Sequence, residues 1–164
     1  MLDKQTALAH FAQSRASFKQ MLGKMSELEA LTIPLEGIWT AKDLTGHLTA
    51  WEKLLVEPLQ SLAAGGSFEP RIVADHDAFN LFESGSRQSM TLDEVIAESE
   101  AVRENILVAI ESLTEGLCQQ NFPAPWGGQA TLTHLVDGLR WHEDLHTQCI
   151  KRWIEQSTPQ KPEE

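Results

Sequence analysis

The sequence predicts an all-α fold, a four-helix bundle with a long crossover between its second and third helices. Four long stretches carry apolar residues at helical spacing. Threonine-led capping signals stand before two of them, and no extended run alternates apolar and polar residues with period two. Strands are therefore not required.

The first helix is expected from Asp3, its N-cap, to about Glu29, with Leu8, Phe11, Phe18, Leu22 and Met25 recurring at helical spacing. Pro34 and Gly37 end it and open a loop. Thr40-Ala41-Lys42-Asp43, a capping box with Asp in place of Glu or Gln, starts the second helix. Its inward stripe is Leu44, Leu48, Trp51, Leu55 and Leu62, and Pro58 is a point where it can kink. Gly65-Gly66-Ser67 breaks the pattern, and residues 68–90 form the crossover, with a short helix around Asp75 to Phe82. Thr91-Leu92-Asp93-Glu94 opens the third helix, whose apolar face is Val95, Val102, Ile106, Ala109, Ile110, Leu113 and Leu117. A breaker-rich loop at residues 122–128 leads to the fourth helix, about Thr131 to Glu155, with Leu132, Leu135, Leu139, Ile150 and Trp153 inward. Residues 1–156 thus form one domain, and the polar tail 157–164, with Pro159 and Pro162, is expected to be disordered.

Composition narrows the function. At 164 residues the chain can bury a core without staples, and 41% hydrophobic with 23% charged residues is ordinary for a globular protein. A net charge of -11 and a pI near 4.9 lack the clustered Lys and Arg of a phosphate-tracking surface, so no nucleic acid partner is expected. No membrane partner is expected either: no apolar run is long enough to span a bilayer, and residues 1–14 lack a signal-peptide core. Cys118 and Cys149 are too few for a disulfide framework and fit buried thiols in a cytoplasmic protein.

The chemistry concentrates in histidines. His142 and His146 lie four residues apart, one turn above the other on the same helix face, where both can reach one ion. His47 lies three residues after Leu44 and four before Trp51. His142 lies three after Leu139, and His146 four before Ile150, so all three ride inward-facing stripes. A single such histidine is more simply a hydrogen-bonded core residue. The inward pair with a third candidate favours a metal, and neutral imidazoles suit Zn, Ni, Fe or Cu, Zn or Ni foremost, with a coordination position left for water or substrate.

The string His142-Glu143-Asp144-Leu145-His146 also fits the H-E-x-x-H of zinc peptidases, with Glu143 as general base. The extended protease pattern wants another histidine six residues on, where this chain has Arg152, and little chain remains to supply a glutamate ligand. Glu143 remains a weak catalytic candidate. Lying about 100° around the helix from His142, it is more simply a solvated helix residue. Asp43, one turn before His47, more simply caps its own helix.

Three segments carry a family resemblance: residues 39–48 around His47, the crossover Asp75-His76-Asp77-Ala78-Phe79-Asn80, and residues 141–150 around His142 and His146. Over essentially the whole chain the sequence resembles the DinB-like superfamily, which includes mycothiol-dependent maleylpyruvate isomerases and bacillithiol transferases. The resemblance implies a four-helix bundle holding a divalent metal on three histidines, one from the second helix and two from the last, positions matched by His47, His142 and His146. It implies a small-molecule substrate, a low-molecular-weight thiol as a further cofactor, a homodimer, and no DNA binding despite the family's name. Asn80 and Phe79 match its crossover element, so Asn80 is a weak candidate for cofactor binding.

Other residues weigh towards plainer roles. His76 is expected in a solvated loop, His10 and His134 lack a partner at ligand spacing, and Trp39 and Trp126 serve equally as loop anchors or pocket walls. Cys149, three residues after His146, is read as a buried thiol. Two functions remain in view. One is a metal-dependent enzyme, a thiol-dependent S-transferase or a hydrolase, with bound water or thiolate as nucleophile. The other is a noncatalytic metal- or small-molecule-binding protein of stress response or self-protection.

Overall fold

The computed structural model describes residues 1–158. Among them the chain forms α1 (Lys4–Leu22), α2 (Glu27–Thr32), α3 (Ala41–Ala63), α4 (His76–Ser86), α5 (Leu92–Ser112), α6 (Glu115–Cys118), β1 (Asn121–Pro123), β2 (Gln129–Thr131) and α7 (Leu132–Ser157). The four long helices are α1, α3, α5 and α7, and α4 lies within the crossover.

Helix starts follow side chains that satisfy the first free backbone N–H groups. Asp3 accepts from the Thr6 N–H, and Thr131 from that of His134. Thr40 with Asp43, and Thr91 with Glu94, form complete capping boxes, so Asp43 caps its own helix as expected. Pro58 sits inside α3, whose span is unbroken.

Some boundaries differ from expectation. The first helix stops at Leu22, because Gly23 caps it and Ser26 with Glu29 opens α2 through a capping box of its own. The third stops at Ser112, and Leu117 belongs to α6. Residues 121–131 form a two-stranded antiparallel hairpin pairing Phe122 with Ala130, closed by Gly127 and Gly128. Of the expected disordered tail, Ser157 is still helical and residues 159–164 lie outside the described residues. No described helix is long and apolar enough to cross a membrane.

Side-chain pairings set the helix directions. Gly46 lies against Val95 and Lys53 pairs with Glu98, so α3 and α5 run parallel, which the crossover makes possible. Arg103 donates to the Phe11 carbonyl and Arg15 to that of Ser99, so α1 runs antiparallel to α5. One apolar cluster joins Leu8 and Phe11 to Leu132, Leu135 and Leu139, and a second joins Phe18 to Ile150, so α1 and α7 run the same way.

Between the clusters sit four buried charges, one from each long helix: Arg15, Glu52, Arg103 and Glu143. Arg15 reaches Glu52 Oε1 and Glu143 Oε2, each at 3.0 Å. Arg103 binds the same two carboxylates and stacks 3.5 Å above the Phe11 ring. Burial works against the Arg15 charge, yet Glu52 and Glu143 outweigh it and raise its pKa. Burial pushes the Glu143 carboxyl up against the pull of Arg103 and Arg15.

Removing one member strands the others in the core. Arg103→Leu should destabilise the fold by about 3–5 kcal/mol, the cost of leaving a buried charge uncompensated. Urea unfolding checks this; a loss no larger than that of an exposed ion pair would contradict it.

Candidate metal centre

α3 carries His47 in its second turn, and α7 carries His142 and His146 one turn apart. The three imidazoles meet through their Nε2 atoms, with His47 2.9 Å from His142 and His142 3.1 Å from His146. The height match that sequence left undetermined is thereby made, and all three offer ligand atoms within 4.8 Å of one another.

Two physical facts test the fit to a metal. Burial first, and then the neighbouring imidazoles, hold His47 down to about 3 and His142 to about 4, and burial lowers His146 as well. The rings are therefore neutral at pH 7, the form in which an imidazole can bind a cation. Nitrogens tetrahedrally disposed about zinc at ordinary bond lengths sit about 3.3 Å apart, close to the separations here. The donor set fits a divalent ion that accepts imidazole.

The surroundings orient these rings. Leu35 donates to the Trp39 carbonyl at 2.8 Å and Trp39 to the Glu36 carbonyl at 2.9 Å, closing a tight turn in which Gly37 adopts φ 57°. That left-handed conformation suits glycine. The turn sets Glu36 Oε2 2.7 Å from His146 Nδ1, where the carboxylate favours a proton on the ring against the opposing effect of burial. It also sets Trp39 against His47, with ring centroids 4.6 Å apart. From α4, Asn80 accepts from the Trp51 indole at 2.9 Å and approaches His47.

The histidines open onto a pocket of about 540 Å³ whose walls include Trp39, Trp51, Trp126 and Trp141. A side chain at Gly138 would come within 3.2 Å of the Trp126 ring, so α7 admits that indole because residue 138 has none.

The other candidates fall as follows. Asn80 lines the pocket, and so does His76, exposed but stacked edge-on against Trp51. Trp39 and Trp126 are pocket walls. Glu143 is fully buried among arginines, which corrects the expectation of a solvated residue, and it does not line the pocket. Cys149 is half-buried beside Glu36 and Arg152, and His10 and His134 are exposed. Sequence reasoning missed Glu36, whose signal was its place beside Gly37 in the loop before the His47 helix. It also missed the contribution of Trp141, adjacent to His142.

A helical bundle whose facing long helices present three histidines to one pocket defines the class. A family model described as the DinB superfamily matches residues 10–150, and the chain belongs to that superfamily. No curated protein matches it significantly. Solved structures share its fold. An uncharacterised protein from Escherichia coli UTI89 aligns with TM-score 0.78 and 14% identity over 98% of both chains. The colibactin self-resistance protein ClbS, in complex with a dsDNA, aligns with TM-score 0.78 and 11% identity over 97% of this chain and 99% of that one. An uncharacterised protein from Clostridium difficile 630 gives 0.75 and 11% over 96% and 99%.

The ClbS complex corrects one expectation. A protein of this fold has been crystallised with duplex DNA, so the exclusion of nucleic acid drawn from net charge does not stand. Net charge sums the whole surface, whereas binding follows the local potential.

The lowered histidine pKa values set the sign of a pH effect in the metal-free protein. Well above pH 6.5, the ordinary histidine value, neither folded nor unfolded state protonates these rings, and their contribution is flat. Below it the unfolded chain binds protons that the folded state refuses until about pH 4 and then 3, so stability falls as pH falls. The thermal midpoint should therefore decline between pH 6.5 and 4, and less steeply in a His47→Gln, His142→Gln variant; equal slopes would contradict the assignment.

Proposed function

We propose that this protein is a divalent-metal-dependent enzyme acting on a small molecule, with His47, His142 and His146 as ligands and Zn or Ni as the metal. The observation that carries this reading is the convergence of the Nε2 atoms of two buried histidines and the half-buried His142 at the floor of an open pocket. A divalent ion there would supply Lewis acidity and lower the pKa of a coordinated water or thiol. The chain's own groups do the rest. Glu36 at the Nδ1 side of His146 favours the tautomer that leaves Nε2 free. Asn80 fixes the Trp51 indole and borders His47, and is the residue proposed to touch a bound cofactor or substrate. The indole walls limit water at the reacting face. Glu143, held by Arg15 and Arg103, is a positioning residue for α7 rather than a base.

The reaction class is hydrolysis or S-transfer from a low-molecular-weight thiol. A cytoplasmic homodimer is the form proposed, the homodimer on the family resemblance and the compartment on two cysteines too few for a disulfide framework. A second reading, noncatalytic sequestration in self-protection, is favoured by the likeness to the self-resistance protein ClbS, and that relative's dsDNA makes nucleic acid a candidate partner here as well.

Two measurements test these readings. Elemental mass spectrometry on untagged protein, purified without chelator, should find near-stoichiometric metal that is absent from a folded His142→Ala, His146→Ala variant. Wild-type protein that stays empty after offering Zn, Ni, Mn and Fe would sink the metal reading. For DNA, a mobility-shift titration should show affinity that falls steeply between 50 and 200 mM salt, by about a thousand-fold if about six phosphates are contacted. No shift at low salt would remove duplex DNA as a partner.

A further inference from the structure

The pocket above the histidines is unusual in its walls. Four of the chain's five tryptophans line it, together with Leu139 and Leu145, and its lining contains no Lys or Arg among the described residues. Its carboxylate is Glu36. Trp51 is only 6% exposed and is pinned by Asn80, so its ring is a fixed wall. Trp141 is 58% exposed and forms the rim with Leu145 one turn on. The N-terminus of α4, which would otherwise attract an anion, is already capped by Asp75 and carries Asp77 in its first turn.

We propose that this pocket takes a flat aromatic ligand that is uncharged or cationic, and rejects one whose body carries a carboxylate or phosphate. Resting on the reading of the same pocket as the substrate site, the inference narrows its substrate class. The physical reason lies in what each wall offers. Indole faces attract cations and stack on planar rings, and the Glu36 carboxylate adds attraction for a positive group. A metal held by the three histidines would leave a position for a donor atom of the ligand or nucleophile. A second anionic group, further up the wall, would leave water for apolar rings and a like charge, without the paired cation a buried anion needs. A volume of about 540 Å³ suits a ligand of two or three fused rings. The same balance favours hydrolysis over transfer from a thiol cofactor that bears carboxylates.

The test compares three bicyclic aromatic probes of similar size by equilibrium dialysis: N-methylquinolinium as cation, naphthalene-2-carboxamide as neutral form and naphthalene-2-carboxylate as anion. Each is measured on zinc-loaded and on metal-free protein, with folding monitored by circular dichroism. The metal-free arm decides, because a carboxylate can ligate zinc whatever the walls prefer. The cation and the amide should bind about ten-fold or more tightly than the carboxylate there. Trp141→Ala, which removes an exposed ring and no core, should weaken both favoured probes. Glu36→Lys should narrow or reverse the gap between cation and anion. Carboxylate binding as tight as that of the cation in metal-free protein, or no binding by any probe up to its solubility, would overturn the proposal. Because metal content is measured separately, a chain that takes up no metal leaves this ranking intact as a test of the walls.

Discussion

The four-charge cluster is the constraint on which the rest of the molecule depends. Each long helix gives it one residue, and both carboxylates are held by both arginines. Apolar faces can slide past one another by a turn with modest loss, because hydrophobic attraction has no direction. A guanidinium in a buried carboxylate pair cannot, since a shift of one residue breaks its hydrogen bonds and leaves charge in the core. The cluster therefore sets the relative heights of α1, α3, α5 and α7. Glu143 adjoins His142, and Glu52 lies five residues beyond His47, a rise of about 7.5 Å. The register that brings Glu52 and Glu143 to the same arginines is thus the register that brings His47 to His142.

This dependence explains what the sequence revealed and what it hid. Helix starts were legible because Thr40, Thr91 and Thr131 act locally on N–H groups three residues away. The inward histidines were legible because their spacing from Leu44, Trp51, Leu139 and Ile150 is a property of one helix at a time. The break after Leu22 was visible in Ser26 and Glu29, a capping box hidden by the apolar residues that continue past it. The hairpin was not, since strands of three residues are too short for a period-two pattern.

The charge cluster carried a signal that a reading by residue type discards. Arg15 stands four after Phe11 and three before Phe18, Glu52 four after Leu48 and three before Leu55, and Glu143 four after Leu139. All occupy inward stripes, and charge alone suggested solvent. A helix in contact with more than one neighbour buries a wide arc, so a residue 100° around from His142 still meets protein. Which charges would pair there depends on four helices at once, and no single stretch of sequence encodes that.

The two buried polar assemblies divide the work between them. The charge cluster pairs two arginines with two buried carboxylates, and Glu100 adds a further contact to Arg15 at 3.3 Å. The histidine site is the opposite case: three imidazoles whose Nε2 atoms crowd together and whose protonation burial and the neighbouring rings oppose. Rigid register from the first assembly is what keeps the second from relaxing apart. The bundle thus holds three imidazoles together at a cost in folding stability that a bound divalent ion would offset. Around them stand the turn at Glu36 and four indoles, Trp39 and Trp126 from loops and Trp51 and Trp141 from α3 and α7, so the two helices that carry the histidines also carry half of the tryptophan wall.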